Sequence, residues 1–430
     1  MSFTSATNFN WRAYAGTNLY LLLNKHPYAD ALIADLPRFT KLTGIHVKYD
    51  IFPEDVYFDK VTTALSSKST QYDAFMTGAY QCWVYGPAGW MVDLNTYLKD
   101  RKKTNPAWAP ADVFSNLLKS DAWNDSPGSA LGTGNAHQWA LPWGFELYSL
   151  SYNKSVFAKY KLKVPTNLPE LADTAAYISK KVPGMYGVAV RGSRSWATIH
   201  PGYLSAFTCY GARDFNSQLK ASMNSPHAVE MTSLWVNMVQ KGGPPGWTSY
   251  TWYEVGSDLG AGKAAMIYDA DILGYFQNSG TRAAGHLAYA PMPANPASKT
   301  PYSNVWIWSL AMSNFSTKKD AAWYLMQWAT GKDHLLYAAI HGDMVDPVRA
   351  SIWANRGFQH KMATYQNYRE TFNAIIPHAK IYFTAEPLFF QVTTDWAAAL
   401  QNMYAKKVGV KAGLDQLASS INSKMANSGI

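Results

Sequence analysis

Two helix-to-strand passages within residues 28–78 restrict this chain to few architectures. Leu32, Ile33, Leu36, Phe39 and Leu42 recur at helical spacing, and Gly44 supplies the stop. Ile45, Val47, Tyr49 and Ile51 then alternate with His46, Lys48 and Asp50, the pattern of a half-buried strand. Pro37 sits inside the helical run and predicts a kink or a restart. Pro53-Glu54-Asp55 opens a second helix through Val61, Ala64 and Leu65, with proline in the first turn and acids near its N-terminus. Tyr72-Asp73-Ala74-Phe75-Met76 is the next strand, ending at Thr77-Gly78. This alternation predicts an α/β lobe whose mostly parallel sheet is flanked by helices. At 430 residues the chain exceeds one ordinary core, and two lobes of roughly 150–250 residues follow from that size.

Composition removes several classes of function. A hydrophobic content of 48% marks a globular chain. Charged residues make up 16% and aromatic residues 15%, and 17 Trp with 28 Tyr exceed what a core needs. Some of these rings are therefore expected to line a binding surface. The net charge of +9 is dispersed, with Arg101-Lys102-Lys103 the longest basic run. A nucleic-acid binder would concentrate its charge in a stripe, so no nucleic-acid partner is expected. No stretch of 18 apolar residues could span a membrane. Met1-Ser2-Phe3-Thr4-Ser5-Ala6 has neither a charged n-region nor an apolar h-region, and looks like the start of a processed or engineered chain. Cys82 and Cys209 lie among apolar residues, far apart and with no Cys-x-x-Cys spacing, which predicts buried free thiols and no metal.

Motifs for catalysis are missing or incomplete. Gly260-Ala261-Gly262-Lys263-Ala264 lacks both the first glycine and the hydroxyl residue of a phosphate loop. There is no Gly-x-Ser-x-Gly elbow, and no histidine pairs as His-x-x-x-His, so no catalytic residue, metal or cofactor is expected. Glu54, Glu146, Asp269, Asp271 and Glu386 could in principle include a glycosidase pair. Glu146 is the most informative of them. It lies in Leu141-Pro142-Trp143-Gly144-Phe145-Glu146, directly before the apolar, aromatic run Leu147–Tyr152 that reads as a strand ended by Asn153-Lys154. Arg191 follows the strand Gly187–Val190, where α/β lobes place ligand contacts. In Asn304-Val305-Trp306-Ile307-Trp308 the two indoles share one strand face. Turn-rich segments stand at Asp121–Asn135 and Met292–Ala297.

Read together, these pieces resemble the extracellular solute-binding proteins that serve ABC importers, the maltose-binding-protein-like carbohydrate type. The run from Pro142 through Glu146 to Tyr152-Asn153-Lys154 is similar to that family's first crossover between lobes. So are Phe39–Val47, Tyr72–Phe75, Ala88-Gly89-Trp90-Met91-Val92-Asp93-Leu94, Gly262-Lys263-Ala264-Ala265-Met266 and the terminal helices over 396–425. One departure stands out: Asn304 and Val305 replace the glycines of the family's Gly-Gly-Trp-Gly strand.

The resemblance implies a two-lobed periplasmic-binding-protein fold of type II with the ligand cleft between the lobes. It places 1–147 plus 292–330 in an N-terminal lobe and 148–291 plus 331–430 in a C-terminal lobe, with crossovers near 146–150, 286–294 and 327–335. It implies a monomer that captures a sugar, oligosaccharide or polyol by lobe closure and delivers it to a membrane permease. The location would be periplasmic or extracellular, free or lipid-anchored. The ligand-binding residues expected are Asn24, Lys25, Tyr28, Glu54, Tyr57, Tyr80, Gln81, Trp143, Glu146, Arg191, Asp269, Asp271, Trp306 and Glu386. Asp269 and Asp271 are expected in a loop after the Gly-Lys-Ala-Ala-Met element. Two other readings remain open: a secreted carbohydrate-active enzyme using a carboxylate pair, and a receptor for a phosphorylated polyol that uses Arg191.

Overall fold

The computed structural model describes residues 9–292 and 295–430. Pro293 and Ala294 of the second turn-rich segment, and the stretch Met1–Ala6, lie outside the described residues. In chain order the strands are β1 (Asn18–Asn24), β2 (His46–Phe52), β3 (Ala74–Gly78), β4 (Ala122–Trp123), β5 (His137–Gln138), β6 (Leu141–Asn153), β7 (Tyr186–Ala189), β8 (Ala264–Ala270), β9 (Leu287–Ala290) and β10 (Val305–Met312). The chain divides into two units. The first holds Met1–Phe145, Ile307–Lys361 and Ala385–Pro387, and the second holds Glu146–Trp306, Met362–Thr384 and Leu388–Ile430.

In the first unit β1 pairs in parallel with β2 and with β3, and β10 pairs antiparallel with β3, from Trp308 opposite Gly78 to Met312 opposite Ala74. β2 has a mostly exposed face because it closes the sheet edge, so Tyr49 stands 39% exposed despite its place in the alternating pattern. The helix Pro27–Thr43 carries Pro37 inside one continuous element, so it does not restart there. Gly44 ends it in the left-handed region at φ 74°, donating its N–H to Thr40 O, a conformation that favours a residue without Cβ.

The second unit is mixed rather than mostly parallel. β8 pairs in parallel with β7, but β6 pairs antiparallel with both β8 and β9. The long β6 is the cause: it enters this unit from Phe145 and runs against the strands it joins. All of its residues are buried, as expected for a strand covered on both faces. Asn153 ends it by accepting from the N–H groups of Ser155 and Val156, which caps the helix Lys154–Tyr160. Helices Leu168–Lys181 and Pro226–Gly242 pack together and on β7. The C-terminal pair Phe389–Tyr404 and Val410–Asn427 buries Leu414, Leu417 and Ile421 on one face.

The division between units falls inside β6, between Phe145 and Glu146, and inside β10, between Trp306 and Ile307. Residues 292–306, expected in the first lobe, cluster with the second unit. Asn304 Nδ2 donates to His200 O at 2.8 Å, and Ser303 Oγ accepts from Tyr148 N at 2.9 Å. Residues 331–361, expected in the second, cluster with the first, where His334 Nδ1 meets Asp35 Oδ2 at 2.8 Å on the helix Pro27–Thr43.

Close packing gives one firm prediction. At Gly187 on β7 a Cβ would run into the Ala175 carbonyl oxygen and Cα of the covering helix. Gly187→Ala is expected to cost about 3 kcal/mol, since backbone cannot yield as a side-chain end can. Chemical denaturation of the variant measures it, and a loss below about 0.5 kcal/mol would refute the packing argument.

Candidate functional site

In the first unit, polar side chains are buried among aromatic rings. Asn24 ends β1 fully buried, and neither its amide oxygen nor its amide nitrogen has a hydrogen-bond partner among the described residues. Two residues on, His26 caps the next helix by accepting from Tyr28 N at 3.2 Å. Burial pushes its imidazole down to about 3, so it stays neutral and can act as an acceptor. Tyr28 donates its hydroxyl to Phe145 O at 3.2 Å and lies 6.5 Å from the ring of Trp143. The indole Nε1 of Trp143 is buried with no partner among the described residues, as are Trp123 Nε1 and Gln81 Oε1. Trp308 stacks on Phe58 at 6.1 Å and stands 5.3 Å from His26.

Asp121 is the charged group of this set. Its Oδ2 accepts from Ser309 Oγ at 2.6 Å, while Oδ1 has no partner among the described residues. Burial lifts its carboxyl from the ordinary 3.8 to about 7, with the Ser309 hydrogen bond opposing.

Other expected first-unit residues have different employment. Lys25 pairs with Asp30 at 2.7 Å, with its side chain 59% exposed. The Tyr57 hydroxyl faces the carbonyls of Leu22 and Met76, fastening the helix Glu54–Ser66 to β1 and β3. Tyr80 is buried 5.3 Å from Trp83, Glu54 is half-buried at its helix start, and Glu386 is buried in the short stretch Ala385–Pro387.

The second unit gathers Glu146, Arg191, Asp269, Asp271 and Trp306, all buried. Arg191 is held by Asp269 through two parallel bonds, Nε to Oδ2 at 3.0 Å and Nη2 to Oδ1 at 2.8 Å. Burial disfavours the guanidinium charge, but the Asp269 carboxylate outweighs it and keeps the group firmly protonated. Asp269 lies within β8 and not in the expected loop, because the strand continues through Ala270. Asp271 opens the helix Asp271–Gln277 and accepts from Leu147 N at 3.2 Å. The guanidinium also donates through Nη1 to Ala197 O at 3.2 Å and reaches His200 Nε2 at 3.3 Å. His200 Nδ1 is 2.6 Å from Tyr148 Oη. Trp196 and Trp306 flank this imidazole at 5.7 and 5.5 Å, and Phe390 meets Trp196 edge-on.

Sequence reading missed His26, Asp121, Trp123, Tyr148 and His200. Tyr148 carried a usable signal, since it stands two residues beyond Glu146 and therefore on the same strand face. Nothing local marked His200 or Asp121. Among the described residues no group of three or more side chains could hold a metal ion.

Residues 25–334 match the family described as bacterial extracellular solute-binding protein. The chain belongs to that family. An erythritol/L-threitol-binding protein of Mycolicibacterium smegmatis is 41% identical over 402 residues, covering 92% of this chain and 83% of that protein. A mannitol-binding protein of Pseudomonas aeruginosa is 25% identical over 293 residues, covering 67% of this chain and 63% of that protein. Among solved structures, an ABC transporter solute-binding protein of Agrobacterium vitis with bound D-mannitol superposes with a TM-score of 0.80 at 24% identity, covering 96% of this chain and 99% of that one. A counterpart from Agrobacterium radiobacter in complex with ribitol gives 0.80 at 19% identity, covering 95% and 99%. These likenesses show the two-lobed periplasmic-binding-protein fold. As a member of an extracellular and periplasmic family of binding proteins, this solute-binding protein is not an enzyme, and the carbohydrate-active-enzyme reading falls.

Proposed function

We propose that this solute-binding protein captures a small, uncharged, acyclic polyol and hands it to the membrane permease of an ABC importer. The observation that carries the reading is the chemistry of the first unit. Asn24, Gln81, Trp123 and Trp143 hold buried, neutral donors and acceptors with no partner among the described residues. Each such atom costs roughly 1–3 kcal/mol unless something pairs with it. A polyol hydroxyl both donates and accepts, and the C–H faces of its chain suit the surrounding rings. The 41% identical relative is named for the tetritols erythritol and L-threitol, which supports a short chain.

The second unit favours an uncharged solute. The Arg191 charge is already answered by Asp269, so this guanidinium is not a spare cation for a phosphate. Capture by closure would follow if the solute touches both units only in the closed state. In this reading Asn24, Tyr28, Gln81 and Trp143 of the first unit and Glu146, Arg191, Asp269 and Trp306 of the second are the ligand-binding set. Tyr80, Glu54 and Glu386 form its margin. The protein would act as a monomer outside the cytoplasm, free or lipid-anchored, with no nucleic-acid partner.

The test is a thermal-shift and calorimetric series with erythritol, L-threitol, ribitol, D-mannitol and erythritol 4-phosphate. A solute at about 1,000 times its dissociation constant adds about 4 kcal/mol to the folded state. The midpoint should then rise by several degrees for at least one free polyol. Tighter binding of the phosphate ester would overturn the uncharged-ligand reading, and silence from every polyol would overturn the solute class.

A further inference from the structure

The net charge of +9 is not shared evenly between the two units. The first carries 18 Lys and Arg against 17 Asp and Glu, and the second carries 20 against 12. The excess therefore belongs to the second unit, and the fold gathers much of it at one end. Lys180 and Lys181 lie in the last turn of the helix Leu168–Lys181, and Lys241 in the last turn of Pro226–Gly242. Lys406 and Lys407 follow the helix Phe389–Tyr404 after a single alanine. Two hydrogen bonds draw these three helix ends together. Ser179 Oγ donates to Gly242 O at 3.0 Å, and Gln240 Nε2 donates to Tyr404 O at 2.8 Å.

All five lysines are exposed. No Asp or Glu occurs in 174–213, 231–253 or 396–414, the stretches that contain them. Lys411 and Lys424, further along, are paired with Asp415 and Asp395. Among the described residues none of the five has such a partner. Asp258, linked to this end through the Tyr186 hydroxyl, is buried and already answered by Lys263 at 3.6 Å. Part of the cluster serves its own helices, since cations are favourable at a helix C-terminus. That accounts for a minority of it, because each of the three helix ends supplies only about half a negative charge against five ammonium groups.

The chemistry of the cluster indicates its partner. An ammonium on a flexible stem is a hydrated point charge that suits a diffuse field, whereas discrete carboxylates favour the arginine fork. Tyr177, 42% exposed, stands four residues before Lys181 and hence on the same helix face. Rings of this kind settle at the level of lipid headgroups. We propose that this end of the second unit docks on an anionic lipid surface. The contact is independent of the solute bound, and it keeps the protein at the membrane in which the permease of the proposed importer lies.

Flotation of the full chain with vesicles of phosphatidylcholine and phosphatidylglycerol in equal parts tests it. The protein should float with them at low salt, ignore pure phosphatidylcholine, and be released in about 1 M salt, where the screening length falls to about 3 Å. Two variants of equal net charge separate the cluster from overall charge. One carries Lys180→Gln, Lys181→Gln, Lys241→Gln, Lys406→Gln and Lys407→Gln. The other carries glutamine at five exposed lysines of the first unit, Lys41, Lys48, Lys68, Lys99 and Lys102. Each lysine near an anionic surface is worth roughly a fivefold gain in partitioning, so the first variant should lose about a hundredfold or more. The second should float nearly as wild type does. Amide hydrogen exchange of the wild type on these vesicles should slow over 177–186, 240–247 and 402–408. Equal losses in the two variants, or protection confined to other segments, would overturn the placement. A wild-type protein that ignores the anionic vesicles at low salt would overturn the lipid partner and leave an acidic protein face as the occupant.

Discussion

Replacing Asp269 by alanine is expected to destabilise the protein by about 3–5 kcal/mol, because it strands a buried guanidinium without its counter-charge. Arg191 and Asp269 are 7% and 1% exposed, so water cannot take over the lost bonds. Removing both charges should behave differently. The Arg191→Met/Asp269→Leu double variant escapes the desolvation of two ions and should recover most of the loss, since apolar replacement of a whole buried pair is often neutral. Denaturant unfolding of wild type, single and double variants measures the coupling. A single variant within about 0.5 kcal/mol of wild type would show that the pair is not the buried, mutually dependent unit described. Calorimetry separates stability from function: the double variant should fold yet bind erythritol poorly, because both side chains belong to the proposed ligand-binding set.

The second large effect belongs to Asp121. Its carboxyl is lifted from 3.8 to about 7 by burial, so between these values the folded protein keeps a proton that the unfolded chain has released. Unfolding then releases that proton, and the stability contributed by this group falls as pH rises from about 4 to about 7, levelling off above. At 1.36 kcal/mol per pKa unit the full span is on the order of 4 kcal/mol. Asp121→Asn keeps an acceptor for Ser309 Oγ and cannot ionise. The difference in unfolding free energy between variant and wild type should therefore shift in the variant's favour by that order between pH 4 and pH 8. A pH-independent difference would mean that Asp121 titrates normally in the folded state.

Asp121 bears on how such first units are built. A carboxyl that, among the described residues, has no ion pair, one oxygen on Ser309 and the other without a partner is a poor choice for stability alone. Asn24 and Gln81 share this condition. Buried polar groups left incomplete are what a binding surface for hydroxyls requires before its solute arrives, and the folded state bears that cost in stability.

Much of the architecture was legible from the residues alone. Strand and helix order over 28–78, the strand at Leu147–Tyr152 and the stop at Asn153-Lys154 follow from periodicity and turn chemistry, which are local properties. Arg191 was marked as a site candidate because it adjoins a strand end recognisable from its neighbours, and Glu146 because its apolar flanks and the family resemblance both place it at the junction of lobes. Tertiary structure alone decided which partners such residues meet. Arg191 meets Asp269 across 78 positions and His200 meets Tyr148 across 52, distances at which no spacing rule operates. Trp306 and Trp308 share a strand face by alternation, yet they fall in different units because the division passes between them. Asp121 read as an ordinary turn residue, and only its enclosure raises its pKa, against the opposing hydrogen bond from Ser309. Periodicity reports which face of an element is buried, and long-range packing determines which partner waits there.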